Sequence, residues 1–277
     1  MILKTILLAF VLGSWLTASA QCCSSCTHHP SPNTHHPTPI TQHPSPNTQH
    51  PSPNTHHPTP IALSQWQAGA IVSEADIEAF GGLEKCFAAE EIPDAVWQRM
   101  QGKTYKTNPH IGRADLRHIR TLHWDYDGRI HVGEMVSNKL IADRLVRIFR
   151  QLYDAHYPIQ QMLLPDVYDA DDETQMRHNN SSCFCYRVVA GSTKLSKHAR
   201  GLAVDINTLY NPYYKDRADG TRFIQPATAA QYCDRTGSFP YKIDKQDLCY
   251  KLFTENGFEW GGDWKTCKDF QHFELIE

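Results

Sequence analysis

Between Thr27 and Ile61 the chain repeats a seven-residue unit five times, beginning at Thr27, Thr34, Thr41, Thr48 and Thr55, with proline at the fourth and sixth places of each. Proline fixes φ and lacks an amide donor, so neither a helix nor a sheet ladder can run through this segment, and extended polyproline II is the conformation left to it. At ~3.1 Å per residue the repeats reach roughly 100 Å, the dimensions of a spacer. Residues 21–61 contain no Asp, Glu, Lys or Arg and hold ten of the seventeen prolines and eight of the sixteen histidines. A chain of 277 residues thus has its folding information from Ala62 onward, enough for one substantial core. The clustered imidazoles offer a second reading for the repeats, as a store of weakly held Zn or Cu.

Ahead of the repeats, Met1 to Ala20 carries one charge at Lys4, an apolar run from Ile6 to Leu16, and Ala18-Ser19-Ala20 at its end. This is the layout of a secretory signal peptide cleaved after Ala20, and the run is shorter than the ~20 residues a spanning helix needs. Cys22 and Cys23 leave lipidation of a mature N-terminal cysteine open. The expected location is therefore exported: periplasmic, cell-surface or extracellular, with no transmembrane span after cleavage. The net charge of −3 has no basic excess that would point to nucleic acid. In an exported chain the six cysteines from Cys86 to Cys267 are expected to form disulfides, in one of fifteen pairings.

Four segments are anticipated: the leader (1–20), a Cys-containing stub and linker (21–61), an N-terminal part of the domain (62–157) and a core (158–277). Ser73 with Asp76 marks a capped helix that Gly81-Gly82 ends, and Pro93 opens another running to about Gln101. Asp127-Gly128 predicts a hairpin between Leu116–Tyr126 and Arg129–Ser137. Asn138 is read as the cap of the longest helix, with Leu140, Ile141, Leu145, Ile148, Leu152 and Tyr153 as its apolar stripe. Strands are expected around Gln160–Leu164, Gly201–Asn207 and Phe270–Leu275, and a helix capped by Asp244 from about Lys245 to Asn256. Helices and strands do not alternate as βαβ units, so the class is α+β with a small, mostly antiparallel sheet flanked by helices.

Two strings carry chemistry. In Ser196-Lys197-His198-Ala199-Arg200-Gly201-Leu202-Ala203-Val204-Asp205 an imidazole and a carboxylate stand seven residues apart, separated by a glycine. Near the end, Trp260-Gly261-Gly262-Asp263-Trp264 precedes Asp269-Phe270-Gln271-His272-Phe273-Glu274. Taken singly, each histidine reads as a satisfied strand residue, Asp205 as a cap and Asp269 as a solvated acid. Together, His198, Asp205 and His272 make a two-His, one-Asp set able to hold Zn²⁺ with a fourth position open, and Asp269 stands three residues from His272 as a candidate general base.

In these strings the sequence resembles the LAS metallopeptidases, in the D-alanyl-D-alanine carboxypeptidase branch that includes L-alanyl-D-glutamate endopeptidases and vancomycin-resistance D,D-carboxypeptidases. The pattern Ser-x-His-x-x-Gly-x-Ala-x-Asp is matched throughout from Ser196 to Asp205, and the acid-x-x-His element by Asp269 to His272. Gly261 to Trp264 looks like the endopeptidase side of the branch. The resemblance, over roughly Gln160 to Glu277, implies a Hedgehog/D,D-peptidase-like fold and a zinc peptidase acting on peptidoglycan stem peptides next to a D-amino acid. It implies His198, Asp205 and His272 as zinc ligands, Asp269 as base and Arg187 as the cation that polarises the scissile carbonyl. Ser196 is a substrate or supporting contact, since no His and Asp are spaced to activate it. Many relatives have Glu where this chain has Asp269, which leaves the bond that is cut open. Carboxypeptidase action needs a cation for the terminal carboxylate, with Arg187, Lys194, Lys197 and Arg200 close by in sequence. The alternative from another class is a Hedgehog-like zinc module that binds wall peptide or a partner protein without turnover.

Overall fold

Asp127-Gly128 closes the hairpin around which the first half of the domain is built. In the computed structural model, which describes residues 66–188 and 193–276, β3 (Leu116–Trp124) and β4 (Ile130–Asn138) pair antiparallel from Leu116↔Asn138 to Trp124↔Ile130. The expected leader, stub and repeats lie outside the described residues. β1 (Ile71–Val72) and β2 (Ala88–Glu90) extend this sheet in the order β1-β4-β3-β2. The capping box of Ser73 and Asp76 starts α1 (Glu74–Phe80), and α2 (Asp94–Met100) follows Pro93. Asn138 caps α3 (Lys139–Asp154) by accepting from the Leu140 amide.

α3 contributes Ile141, Leu145, Ile148 and Leu152 to one core that also holds Ile119, Leu122, Val132 and Met135 of the hairpin. Leu140, expected in that stripe, is instead 64% exposed, because it sits one residue, or ~100° of helix, off the buried face. The same core takes in Val204, Phe253, Phe258 and Phe273, so residues from both halves of the domain share one interior. A second cluster packs Leu116 and Val136 of the hairpin with Val96 and Met100 of α2 and with Phe184.

The later segments form two further antiparallel sheets, so the expected α+β class holds with three small sheets where one was anticipated. One has the order β5-β10-β8, from β5 (Ala203–Asp205), β8 (Phe258–Trp260) and β10 (His272–Leu275). The other has the order β7-β6-β9, from β6 (Tyr213–Asp216), β7 (Arg222–Gln225) and β9 (Lys268–Asp269). α4 (Asp172–Arg177) and α5 (Leu248–Glu255) complete the helices described. None of the described helices is long and apolar enough to cross a membrane.

Three expectations are corrected. Gln160–Leu164 is not a strand: Asn207 and Asn180 side chains accept from the Gln160 and Leu163 amides (3.0 and 2.9 Å), supplying the hydrogen bonds that a neighbouring strand would have made. α5 is capped by Asp247, whose carboxylate accepts from the Cys249 amide at 2.8 Å, while Asp244 caps the preceding turn through the Gln246 amide. The six domain cysteines are free thiols, four of them buried. Cys86, Cys183 and Cys233 each direct Sγ at a backbone carbonyl, of Gly82, Gly201 and Ala229, on separate parts of the fold.

The turn that carries His198 is wedged against the start of α3. Gly201 has φ +65°, its carbonyl accepts from the Asn138 amide at 2.8 Å, and a Cβ there would lie 2.6 Å from that same nitrogen. Gly201→Ala therefore adds left-handed strain to a backbone clash and is expected to lower stability by roughly 3 kcal/mol, read from urea unfolding. Within the hairpin, His123 is fully buried, directs Nδ1 at the Ile159 carbonyl (2.7 Å) and stacks on His131. Burial and the neighbouring imidazole push His123 down to about 3. Its folded pKa is thus below the unfolded value near 6.5, so its stabilising contribution is complete above pH ~6.5 and is lost as pH falls toward ~3. Between pH 7 and 4 the wild type should lose roughly 3 kcal/mol more than His123→Phe in urea unfolding at the two pH values.

Candidate metal centre

β5 and β10 pair so that Asp205 stands directly opposite His272. Directly opposed residues of an antiparallel pair project to the same face, which brings together two side chains 67 positions apart. His198 reaches the same point from the short 3₁₀ turn His198–Arg200. His272 Nδ1 lies 3.1 Å from Asp205 Oδ1, His198 Nε2 lies 3.2 Å from Asp205 Oδ2, and the two nitrogens are 3.1 Å apart. One ligand atom from each of the three residues lies within 4.8 Å of the others.

The other nitrogen of each imidazole is held from behind. His198 Nδ1 donates to the Cys183 carbonyl at 2.7 Å, and His272 Nε2 donates to Glu274 at 3.0 Å. This selects the tautomers whose lone pairs, on His198 Nε2 and His272 Nδ1, face each other and the Asp205 carboxylate. Two lone pairs at that separation repel unless a proton or a metal cation stands between them. The electrostatics agree: against the desolvation that lowers it, hydrogen bonds to Asp205 and Glu274 push His272 up to about 10. Despite the burial that raises it, the two imidazoles hold Asp205 well below the usual carboxylate range. Two nitrogens and a carboxylate, buried and oriented in this way, fit a small divalent cation such as zinc.

Asp269 is the second element of the site. β9 places it beside β6, in register with Tyr213. Its Oδ1 is buried without a hydrogen-bond partner, and burial, reinforced by the Asp205 charge, pushes the carboxyl up to about 7. Gly261 makes the close approach possible, since a Cβ there would lie 2.6 Å from the Asp269 carbonyl oxygen. Trp264 then covers the His272 ring at a centroid distance of 5.2 Å.

All four residues line one cavity of ≈ 850 Å³, which also includes Ser196 and Arg187. Ser196 is buried and its Oγ accepts from the His198 amide at 3.2 Å, so it steadies the turn that presents the imidazole. Arg187 forms an ion pair with Asp172, Nε to Oδ2 2.8 Å, within the cavity wall. Lys194 and Lys197 also line the cavity, and Arg200 does not. Glu274 ends the second string, and its role beside His272 emerges only in the fold. Its place two residues after His272 on a strand, hence on the same face, was the available signal. The Cys183 carbonyl left no such signal, because backbone acceptors carry no side-chain identity.

Residues 190–275 match the family model described as D-alanyl-D-alanine carboxypeptidase, a segment containing His198, Asp205, Asp269 and His272. No curated protein and no solved structure matches the chain. Over residues 190–275, the part that builds the buried His-Asp-His cluster and its neighbouring acid, the chain is therefore similar to the D-alanyl-D-alanine carboxypeptidase family of peptidases.

Proposed function

We propose that this chain is an exported, zinc-dependent peptidase that hydrolyses an amide bond next to a D-amino acid in peptidoglycan stem peptides, as a D-alanyl-D-alanine carboxypeptidase or an L-alanyl-D-glutamate type endopeptidase. The observation that carries this reading is the meeting of two imidazole lone pairs and the Asp205 carboxylate beside a buried acid in one cavity. His198, Asp205 and His272 hold the metal in this reading. Zinc, when bound, supplies the Lewis acidity that makes water nucleophilic near neutral pH and polarises a carbonyl. Asp269 takes the proton from the attacking water and returns it to the departing amine. A carboxyl that lines the same cavity and keeps one buried oxygen without a partner is placed for both transfers. Arg187, oriented by Asp172, offers its guanidinium to the developing oxyanion, and Ser196 keeps the His198 turn in place. The presence of an acid so placed favours turnover over a binding-only zinc module.

Zinc content and hydrolysis separate these roles. Asp269→Ala should keep about one zinc per chain and lose at least ~100-fold in rate, measured by mass spectrometry of muropeptides after incubation. In the same assay, loss of a terminal D-Ala identifies a carboxypeptidase and scission within the stem an endopeptidase. A fully active Asp269→Ala protein would remove this residue from the mechanism.

His272→Ala should lose tight zinc and hydrolysis together, whereas His178→Ala should lose neither, since His178 stacks on Tyr168 and does not line the cavity. Because the proton on His272 and the metal compete for the same nitrogen, zinc affinity should fall as pH drops and binding should release protons, both read by calorimetry in buffers of different ionisation enthalpy.

A further inference from the structure

The β6–β7 hairpin has two unlike faces. On the outer face, Arg222 pairs with Asp216 through two hydrogen bonds of 2.6 and 3.0 Å and lies 4.1 Å from the Tyr214 ring centroid, so its charge is matched. The inner face, by strand alternation, carries Tyr213 and Lys215, then Arg217 just past the strand, opposite Gln225 and Phe223. These five side chains all line the cavity of the candidate metal centre. Arg217 lies over the Phe223 ring at 5.2 Å, and neither Lys215 nor Arg217 has a carboxylate within ion-pair distance among the described residues. Asp219, in the hairpin turn, directs Oδ1 to the Thr221 amide and hydroxyl.

The hairpin is joined directly to the reacting end of the cavity. Tyr213 is in register with Asp269, and at ~3.3 Å per residue Lys215 and Arg217 stand about 7 and 13 Å further along the strand. An extended peptide whose reacting carbonyl sits beside Asp269 passes these cations about two and four residues from that carbonyl. Lys265 and Glu259, of opposite charge, line the same cavity, and Glu259 is not within ion-pair distance of Lys215 or Arg217.

We propose, resting on the peptidase reading above, that Lys215 and Arg217 form a carboxylate-binding subsite, which selects extended peptides carrying a free carboxylate about two to four residues from the bond that is cut. Exposed charge pairs alone discriminate weakly. Lys215 and Arg217 are themselves exposed, but both line the cavity and Phe223 pre-orients the Arg217 guanidinium, which favours a charge-assisted hydrogen bond that a carboxamide cannot replace.

The test is equilibrium binding by calorimetry to the full chain carrying Asp269→Ala and loaded with zinc. One probe is a stem peptide ending in D-Ala-D-Ala with its carboxylates free, the other the same peptide with every carboxylate capped as a carboxamide. The free acid should bind about tenfold more tightly at low salt, with the gap narrowing as salt is raised. Adding K215Q and R217Q together should reduce the gap to about twofold, each alone should reduce it part of the way, and R222Q on the outer face should leave it intact. Equal affinities for the two probes, undetectable binding of both, or a preference that survives K215Q with R217Q would overturn the subsite. If the preference is present but the zinc-loaded wild type cuts neither probe, the peptidase reading falls and the subsite stands.

Discussion

The antiparallel register between Asp205 and His272 is the constraint on which the site depends. A slip of one residue would turn every side chain of β10 to the other face, sending His272 into the core and Phe273 into the cavity. Phe273 opposes this: it is fully buried and stacks on Phe253 of α5 at 4.4 Å. The apolar alternation that anchors β10 in the core is thus also what aims His272 and Glu274 at the cavity. The second anchor is Gly201, whose carbonyl bonds to the Asn138 amide and so joins the His198 turn to the hairpin-and-helix half. This half is the frame against which the turn is pressed.

Burying two imidazoles and two carboxylates together is unfavourable unless their charges and hydrogen bonds are matched. The fold meets this unevenly. His198 and His272 each have a fixed outer partner, and Asp205 faces both rings, but Asp269 keeps a buried oxygen without a partner. An unsatisfied buried carboxyl oxygen is an expensive feature in a native interior. In the proposed peptidase it is the atom that receives the proton of the attacking water.

The remaining wall of the cavity comes from β6 and β7, which are hydrogen-bonded to β9 and so held against Asp269. Their inner face adds cations to a site of mixed charge, although the whole chain carries −3. Overall charge and local field differ because alternation along a strand places the Arg222–Asp216 ion pair on one face and Lys215 with Arg217 on the other.

Capping and turn chemistry determined much of the local structure from sequence alone. Ser73, Asn138 and Asp127-Gly128 act on neighbours within a few residues, so their hairpin and helices were legible. The candidate ligands were legible too, because a His and an Asp flanking a glycine, and an acid three residues before a second His, are local strings. The tertiary structure decided what depends on partners distant in sequence. It replaced a strand at Gln160–Leu164 with side-chain amides from Asn180 and Asn207, moved the α5 cap to Asp247, and kept the cysteines as separate thiols. It also decided that Cys183 would lend a carbonyl to His198 and that Lys215 and Arg217 would face the cavity. Such long-range matches follow from how buried surfaces and strand registers fit together, which no short window of residues contains.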